Sequence, residues 1–390
     1  MRGRNAVRMV ALAVACAFAL SACGDDTDQP AANDLVDTAA QTAEKTCDAV
    51  KLGPITRCEN FYEDYWPTID ENLDKLYEKA KVTDGGKLVV WDWYELSPDV
   101  QKAFLKRFPG LKISTKGLTY NLSSAIISAD ASGARNTDVV SGSITSMTAM
   151  YDQGFWEDVD WTKYGVPKEF LTIGAPQLLP DSLNGALIHL NTDEAPSEPT
   201  TLDDFLAPEW KGKLAMASFE AQDFTGYGMA NGKDAMVKLI KDLKGNGLTL
   251  TDDPGSLLSS GDVAANLATQ LYNPNPALKP LPFENANTYV QFSGINKAGK
   301  NKYGAMLFEL WNAYDPDWLE QRLTQEKFSS SALPFPGLPT ATFEQTKGLM
   351  KQNQDAWFDA IDKDWAIFET QANRDEFNDL IAAANDALNK

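Results

Sequence analysis

Few residues of this chain have the type and spacing for covalent chemistry. Glu95, Glu220 and Asp223 would form the two-carboxylate pair of a hydrolase if the fold set them across a cleft. The only histidine, His189, lies inside the apolar run ALIHL (186–190), which suits a core residue better than a general base. No GxSxG, HExxH or Walker A pattern occurs, and the glycine-bearing segment GMANGKD (228–234) lacks both the length and the final Ser/Thr of a phosphate loop. Four cysteines without a CxxC, beside one histidine, leave no zinc site and no redox pair. Groups suited to non-covalent grip are better represented. Trp93, Tyr94 and Glu95 set two aromatic faces beside a carboxylate, a combination that grips an amine or stacks on a flat or sugar ring.

These side chains belong to a chain of 390 residues with a formal charge of −20 and a pI near 4.5. That length supports two or three domains with large cores, and 10% aromatic residues exclude global disorder. The acidity excludes a nucleic-acid partner, because there is no positive field to release counterions from a phosphate backbone.

The first 22 residues read as an export signal, with Arg2, Arg4 and Arg8 ahead of the apolar run from Met9 to Leu20. LSAC (20–23) resembles a bacterial lipobox, whose cysteine is acylated, so Cys23 is expected to carry the lipid and anchor an extracytoplasmic protein to the membrane. Removing the signal takes away three arginines and no acid, lowering the formal charge from −20 to −23. Residues 23–45 then form an acidic tether. Cys47 and Cys58 remain, in an exporting context where disulfides persist, and are expected to pair.

Residues 46–82 read as a helical extension, in which Phe61, Trp66, Ile69, Leu73 and Leu76 recur at helical spacing. Strands and helices then alternate. LVVW (88–91) is a strand, Ser97-Pro98 starts a helix through Phe108, residues 111–115 form a second strand and 121–132 a helix. Residues 137–140 form a short buried strand, 141–143 a small-residue loop, and 145–153 a helix. This order predicts an α/β fold, mostly parallel and doubly wound, with ligand groups at the carboxyl ends of the strands. The polar stretch 191–201 and the prolines between 274 and 282 mark boundaries. Between them lie a strand at 214–217, a helix over 233–243 closed by Gly245 to Gly247, and a helix over 262–271. A strand resumes at 289–295, and residues 342–390 are helical, with Trp357, Phe358, Ile361, Trp365 and Phe368 on one stripe.

Three blocks resemble the extracytoplasmic solute-binding proteins of ABC importers, family 1 (the iron/polyamine/thiamine type): LVVWDWYE (88–95) with the helix that follows; TLDDFLAPEWKGKL (201–214); and SGDV (260–263) followed by INKAGKN (295–301). The second block is the most specific, and residues 24–82 lie outside the resemblance. It implies a two-lobed type II periplasmic-binding-protein fold with two crossovers. Lobe 1 would hold 83–190 and 286–390, and lobe 2 would hold 191–285. It further implies a monomer that needs no cofactor or metal, captures a small-molecule solute and delivers it to ABC permease subunits. Ligand contacts are expected from Trp93, Tyr94, Glu95, Tyr120, Asn121, Ser141, Ser143, Phe219, Glu220, Tyr272, Tyr289 and Gln291. Ferric binders of this family carry paired tyrosines where this chain reads Leu271-Tyr272, which argues against iron. Polyamine binders show an acid where this chain has Gln291, so a monoamine, a sugar-like or a mixed-charge solute fits as well. A cleft hydrolase using Glu95, Glu220 and Asp223 and a non-transporting sensory module are the alternatives.

Overall fold

The computed structural model describes residues 49–52, 55–58, 61–92, 96–118, 122–133, 137–172, 174–185, 188–218, 220–267, 277–281, 288–325, 333–334 and 366–390. The signal segment, Cys23, the tether, Cys47 and residues 335–365 with Trp357, Phe358, Ile361 and Trp365 lie outside the described residues.

The extension opens with an antiparallel hairpin, β1 (Ala49–Leu52) and β2 (Ile55–Cys58), so it is not purely helical. A π-helical turn, Phe61–Tyr65, runs into α1 (Trp66–Val82). The first sheet then takes β3 (Lys87–Asp92), β4 (Lys112–Gly117), β5 (Val139–Ser143), β6 (Leu179–Gly185), β12 (Thr288–Ile295) and β13 (Leu333–Pro334), in the order β13-β6-β12-β5-β3-β4. The second takes β7 (Ile188–Asn191), β8 (Leu214–Ala217), β9 (Thr249–Thr251), β10 (Ala265–Asn266) and β11 (Leu278–Leu281), in the order β11-β7-β10-β8-β9. The helices are α2 (Pro98–Arg107), α3 (Leu122–Ala131), α4 (Ile144–Tyr151), α5 (Thr225–Asn231), α6 (Lys233–Gly245), α7 (Pro254–Ser260), α8 (Lys302–Tyr314), α9 (Pro316–Gln325) and α10 (Gln371–Asn389).

The chain pairs β3 in parallel with β4 and β5, as the alternating pattern predicts, but β12 and β13 run antiparallel to their neighbours, so the sheet is mixed and not mostly parallel. Ser97 Oγ accepts the Val100 N–H at 3.3 Å and Pro98 occupies the first turn, so α2 starts where its capping signal lies. One face of this sheet packs on α8, which is buried at every residue from Gly304 to Tyr314. Burial all round requires a second cover, and α1 supplies it through Ile69, Leu73, Leu76 and Ala80. At about 1.5–3 kcal/mol for each large apolar side chain removed from water, that contact makes α1 an integral layer of the fold. The other face packs on α3 and α4.

Further expectations differ from the structure. Residues 141–143 continue β5 instead of forming a loop, because β12 pairs with the strand up to Ser143 and β3 up to Ser141. The helix expected over 262–271 is replaced by α7, which ends at Ser260, and by the short strand β10. Gly261 has φ 82° and closes α7 in the left-handed conformation, so Ser260-Gly261 stops a helix and does not start one. Residues 188–191 pair with β10 and β11 in the second sheet, which moves the crossing upstream of the polar stretch at 191–201. Finally, α10 does not stay with the first sheet: Phe377 packs into the core under α3 and α4, whereas Leu380, Ala384 and Leu388 pack into the core of the second sheet.

Candidate functional site

Strand direction decides where a site can form. β6 is antiparallel to β12 and β12 is antiparallel to β5, so β6 points the same way as the parallel strands of its sheet. Its carboxyl end, Gly185, therefore lies on their carboxyl edge. In the second sheet, β7 is antiparallel to β10, which is parallel to β8, so Ile188 lies on that sheet's carboxyl edge. Only residues 186–187 separate Gly185 from Ile188, and three peptide units reach at most about 11 Å. The return is equivalent. β11 is antiparallel to β7 and ends at Leu281 on the second sheet's carboxyl edge, and β12 starts on the first sheet's carboxyl edge. Both connections thus join carboxyl edge to carboxyl edge. In open α/β sheets that is where ligands bind.

On the first sheet's side, β5 and β12 bring three predicted contact residues together. Gln291 is paired with Ser143 and Ser293 with Ser141, while Asp92 at the end of β3 lies beside Ser141. Paired and alternate residues share a face, here the one carrying Val139 and Ile295 toward α8. Ser141 and Ser143 are 6% and 8% exposed, and Ser293 Oγ is buried without a hydrogen-bond partner. Ser143 is also the N-cap of α4, but its hydroxyl lies 2.6 Å from Thr145 Oγ1 and does not cap a backbone N–H. The first N–H groups of α4 thus remain available at this edge.

On the second sheet's side, β8 ends at Ala217. Ser218 Oγ donates to Asp252 Oδ1 at 3.1 Å, linking the ends of β8 and β9. Glu220 precedes the single-turn helix Ala221–Phe224, and the Asp223 N–H donates to the Glu220 carbonyl at 2.9 Å. These two carboxylates are therefore neighbours on one turn, not partners on opposite walls. Asp253 is engaged as the α7 cap, and hydrogen bonds from Ser256 hold its pKa below the ordinary carboxylate range. Among the described residues of 217–225, 251–256 and 265–267 there is no lysine or arginine. The field at this edge therefore favours cationic or neutral polar groups over anions.

Trp93, Tyr94, Glu95, Tyr120, Asn121, Phe219 and Tyr272 lie outside the described residues. Tyr289 is placed by its backbone, opposite Asn184 in β6. Asp92, Asp252 and Asn266 were not picked out in the sequence. Asn266 was hidden by the misplaced helix over 262–271, and Asp252 by a strand of only three residues before it. His189 is buried within β7 at 5% exposure, as its apolar surroundings imply. The PEWKGK block proves to be architectural. Thr201 and Asp204 form a capping box, Phe205 and Trp210 are fully buried with ring centroids 4.9 Å apart, and the strand they brace is β8.

The two-sheet, two-crossing arrangement is the two-lobed fold of periplasmic substrate-binding proteins. The chain is similar to the substrate binding protein of an ABC transporter from Agrobacterium tumefaciens at 14% identity, covering 79% of this chain and 97% of that one with a TM-score of 0.58. It is similar to the periplasmic binding protein AfuA from Actinobacillus pleuropneumoniae, crystallised with fructose-6-phosphate, at 15% identity, covering 71% and 99% with a TM-score of 0.55. A third likeness is to ferric ion-binding protein A from Pasteurella haemolytica at 15% identity, covering 74% and 99% with a TM-score of 0.54. No family model and no curated protein matches the chain. At these identities the likeness defines the fold.

Proposed function

We propose that this protein is the extracytoplasmic solute receptor of an ABC importer, binding a small organic solute between the carboxyl edges of its two sheets and delivering it to the permease. The observation that carries this reading is the pair of connections joining the two carboxyl edges, with Ser141, Ser143, Gln291 and Asp92 on one side and Ser218, Glu220 and Asp252 on the other. The fold it shares with solute-binding proteins supports the same reading. Trp93, Tyr94, Glu95, Tyr120, Asn121, Phe219, Tyr272 and Tyr289 complete the proposed contact set. The acid-only second edge favours an amine or a neutral polyhydroxyl solute over a sugar phosphate.

Within this reading, closure excludes water around aromatic and polar contacts, and only the closed, liganded form docks on the permease. No covalent step is proposed. Acylated Cys23 holds the monomer at the membrane, residues 23–45 space it from the surface, and a Cys47–Cys58 disulfide staples the extension.

A thermal-shift screen of residues 24–390 against monoamines, polyamines, sugars, sugar phosphates, carboxylates and ferric ion tests the proposal. A solute at 100 times its dissociation constant stabilises the folded state by about 2.7 kcal/mol. A hit confined to amines or sugars is the expected result. A hit confined to phosphates or ferric ion overturns the solute class, and turnover of any compound in place of stable binding overturns the receptor in favour of a hydrolase.

A further inference from the structure

The two lobes share a third attachment that is not a backbone crossing. The N-terminal half of α10 is fixed to α4 and the turn after it, in the first lobe. Arg374 Nε donates to Asp152 Oδ2 at 3.0 Å, and its Nη2 donates to the other carboxylate oxygen. Its Nη1 donates to the Phe368 carbonyl at 3.0 Å. The same guanidinium lies 4.7 Å from the centroid of the Tyr151 ring. One turn further on, Thr148 Oγ1 lies 3.2 Å from Asn378 Oδ1, sharing its single proton with the Ile144 carbonyl at 3.0 Å, and Phe377 is buried against the same lobe. The C-terminal half belongs to the second lobe. Leu380, Ala384, Ala387 and Leu388 enter its core beside α6. Lys233 Nζ binds Asp379 Oδ2 at 2.7 Å, and Lys244 Nζ caps the helix end by donating to the Leu388 carbonyl at 2.7 Å.

A straight helix tied at both halves cannot follow two bodies that rotate apart. Either the lobes stay near their present separation or one half of α10 detaches. Detachment from the first lobe would strand Arg374, whose side chain is 9% exposed, away from the half-exposed Asp152 carboxylate and the Phe368 carbonyl, and leaving a guanidinium without its partners is costly. Detachment from the second lobe would expose the apolar stripe of α10 and uncap its last turn.

We propose that α10 is a strut that restrains cleft opening from outside the cleft, with Arg374–Asp152 and Thr148–Asn378 as its polar lock on the first lobe. The inference rests on the reading of two lobes that close over a solute, but its test needs no solute. Spin labels are placed through a non-canonical amino acid at Lys102 in the first lobe and Lys241 in the second, and the distance distribution is measured by pulsed electron resonance without ligand. Asp152→Asn and Thr148→Val should each lengthen and broaden the distribution relative to the unsubstituted chain, with far-UV dichroism unchanged. If a variant loses its fold, Lys233→Met and Lys244→Met cut the ties on the second-lobe side and should give the same broadening. Distributions that coincide across all folded variants overturn the strut, even where the thermal-shift screen finds a solute. A flat screen with broadened distributions overturns the receptor reading and leaves the strut standing.

Discussion

The Asp138 carboxylate accepts the backbone N–H of Asn301 at 3.0 Å, and neither residue is more than 1% exposed. The same carboxylate accepts the N–H of Val89 at 2.8 Å and of Lys300 at 2.6 Å. Asn301 in turn caps α8 by accepting the Gly304 N–H at 2.8 Å. Its amide donates toward the carbonyls of Ala80, Thr83 and Lys87 at 3.1, 3.2 and 2.9 Å. Two side chains therefore join β3, β5, α1 and α8 at the edge of the sheet remote from the cleft. An anchored amino edge lets the opposite, carboxyl edge present its residues as one rigid wall.

Replacing Asn301 separates its two roles. Asn301→Asp keeps the helix cap but turns a donor into a buried carboxylate facing three carbonyl oxygens. It should cost about 2–4 kcal/mol, as much as or more than Asn301→Ala, which loses both cap and donors. Urea denaturation midpoints at constant m-value measure this. A near-neutral Asn301→Asp would show that the amide does not join these elements.

Stability should carry a slope from Asp315. Burial raises the pKa of its carboxyl from the ordinary 3.8 to about 6, opposed by the Trp318 N–H that it accepts at 2.9 Å. The folded state therefore holds this proton more tightly than the unfolded chain. Its contribution is full below about pH 4 and is lost as pH rises through about 6. Asp315→Asn keeps the cap acceptor without the charge, and should flatten that decline and gain on the order of 1–3 kcal/mol at pH 7. Equal pH profiles for the two proteins would count against the raised pKa.

Gly174 sits at φ 77°, where an added Cβ would come 2.4 Å from the Phe368 carbonyl oxygen. Phe368 is fully buried and packs edge-on against Phe292 of β12, ring centroids 5.3 Å apart. Gly174→Ala should cost about 2 kcal/mol or more, from the left-handed backbone and the backbone clash together. Protection of amides 366–369 from hydrogen exchange should fall with it. Unchanged protection would mean that this segment does not need the close approach.

Trp93→Ala should weaken solute binding by about 1–3 kcal/mol if the ring stacks on the solute, by analogy with base–aromatic stacking. Calorimetric titration with the compound found in the thermal-shift screen reads the effect. Unchanged affinity with a lowered melting temperature would return Trp93 to the core.

The element pattern of the first lobe was legible because its signals are local. Ser97-Pro98 caps α2, an apolar run marks β3, and a stripe of Ile69, Leu73 and Leu76 marks α1. Thr201 to Leu214 carries the family resemblance locally too, because a capping box, two aromatics in edge-to-face contact and a turn all fall within one short segment. Pairing partners were not legible. The sequence places residues up to 190 in the first lobe, whereas β10 and β11 claim 188–191 for the second sheet, since an apolar run specifies burial and not its neighbour. The meeting of Ser143 with Gln291 depends on an antiparallel register between segments almost 150 residues apart, and the division of α10 between two cores depends on packing against α4 and α6. Sequence by itself determined most of the first lobe's helices and strands and much of its core, through periodicity and capping, but not the strand at 141–143 or the end of α7 at Ser260. Only the tertiary structure decided which edges face each other and which side chains share a wall, because those follow from long-range pairing that no local pattern encodes.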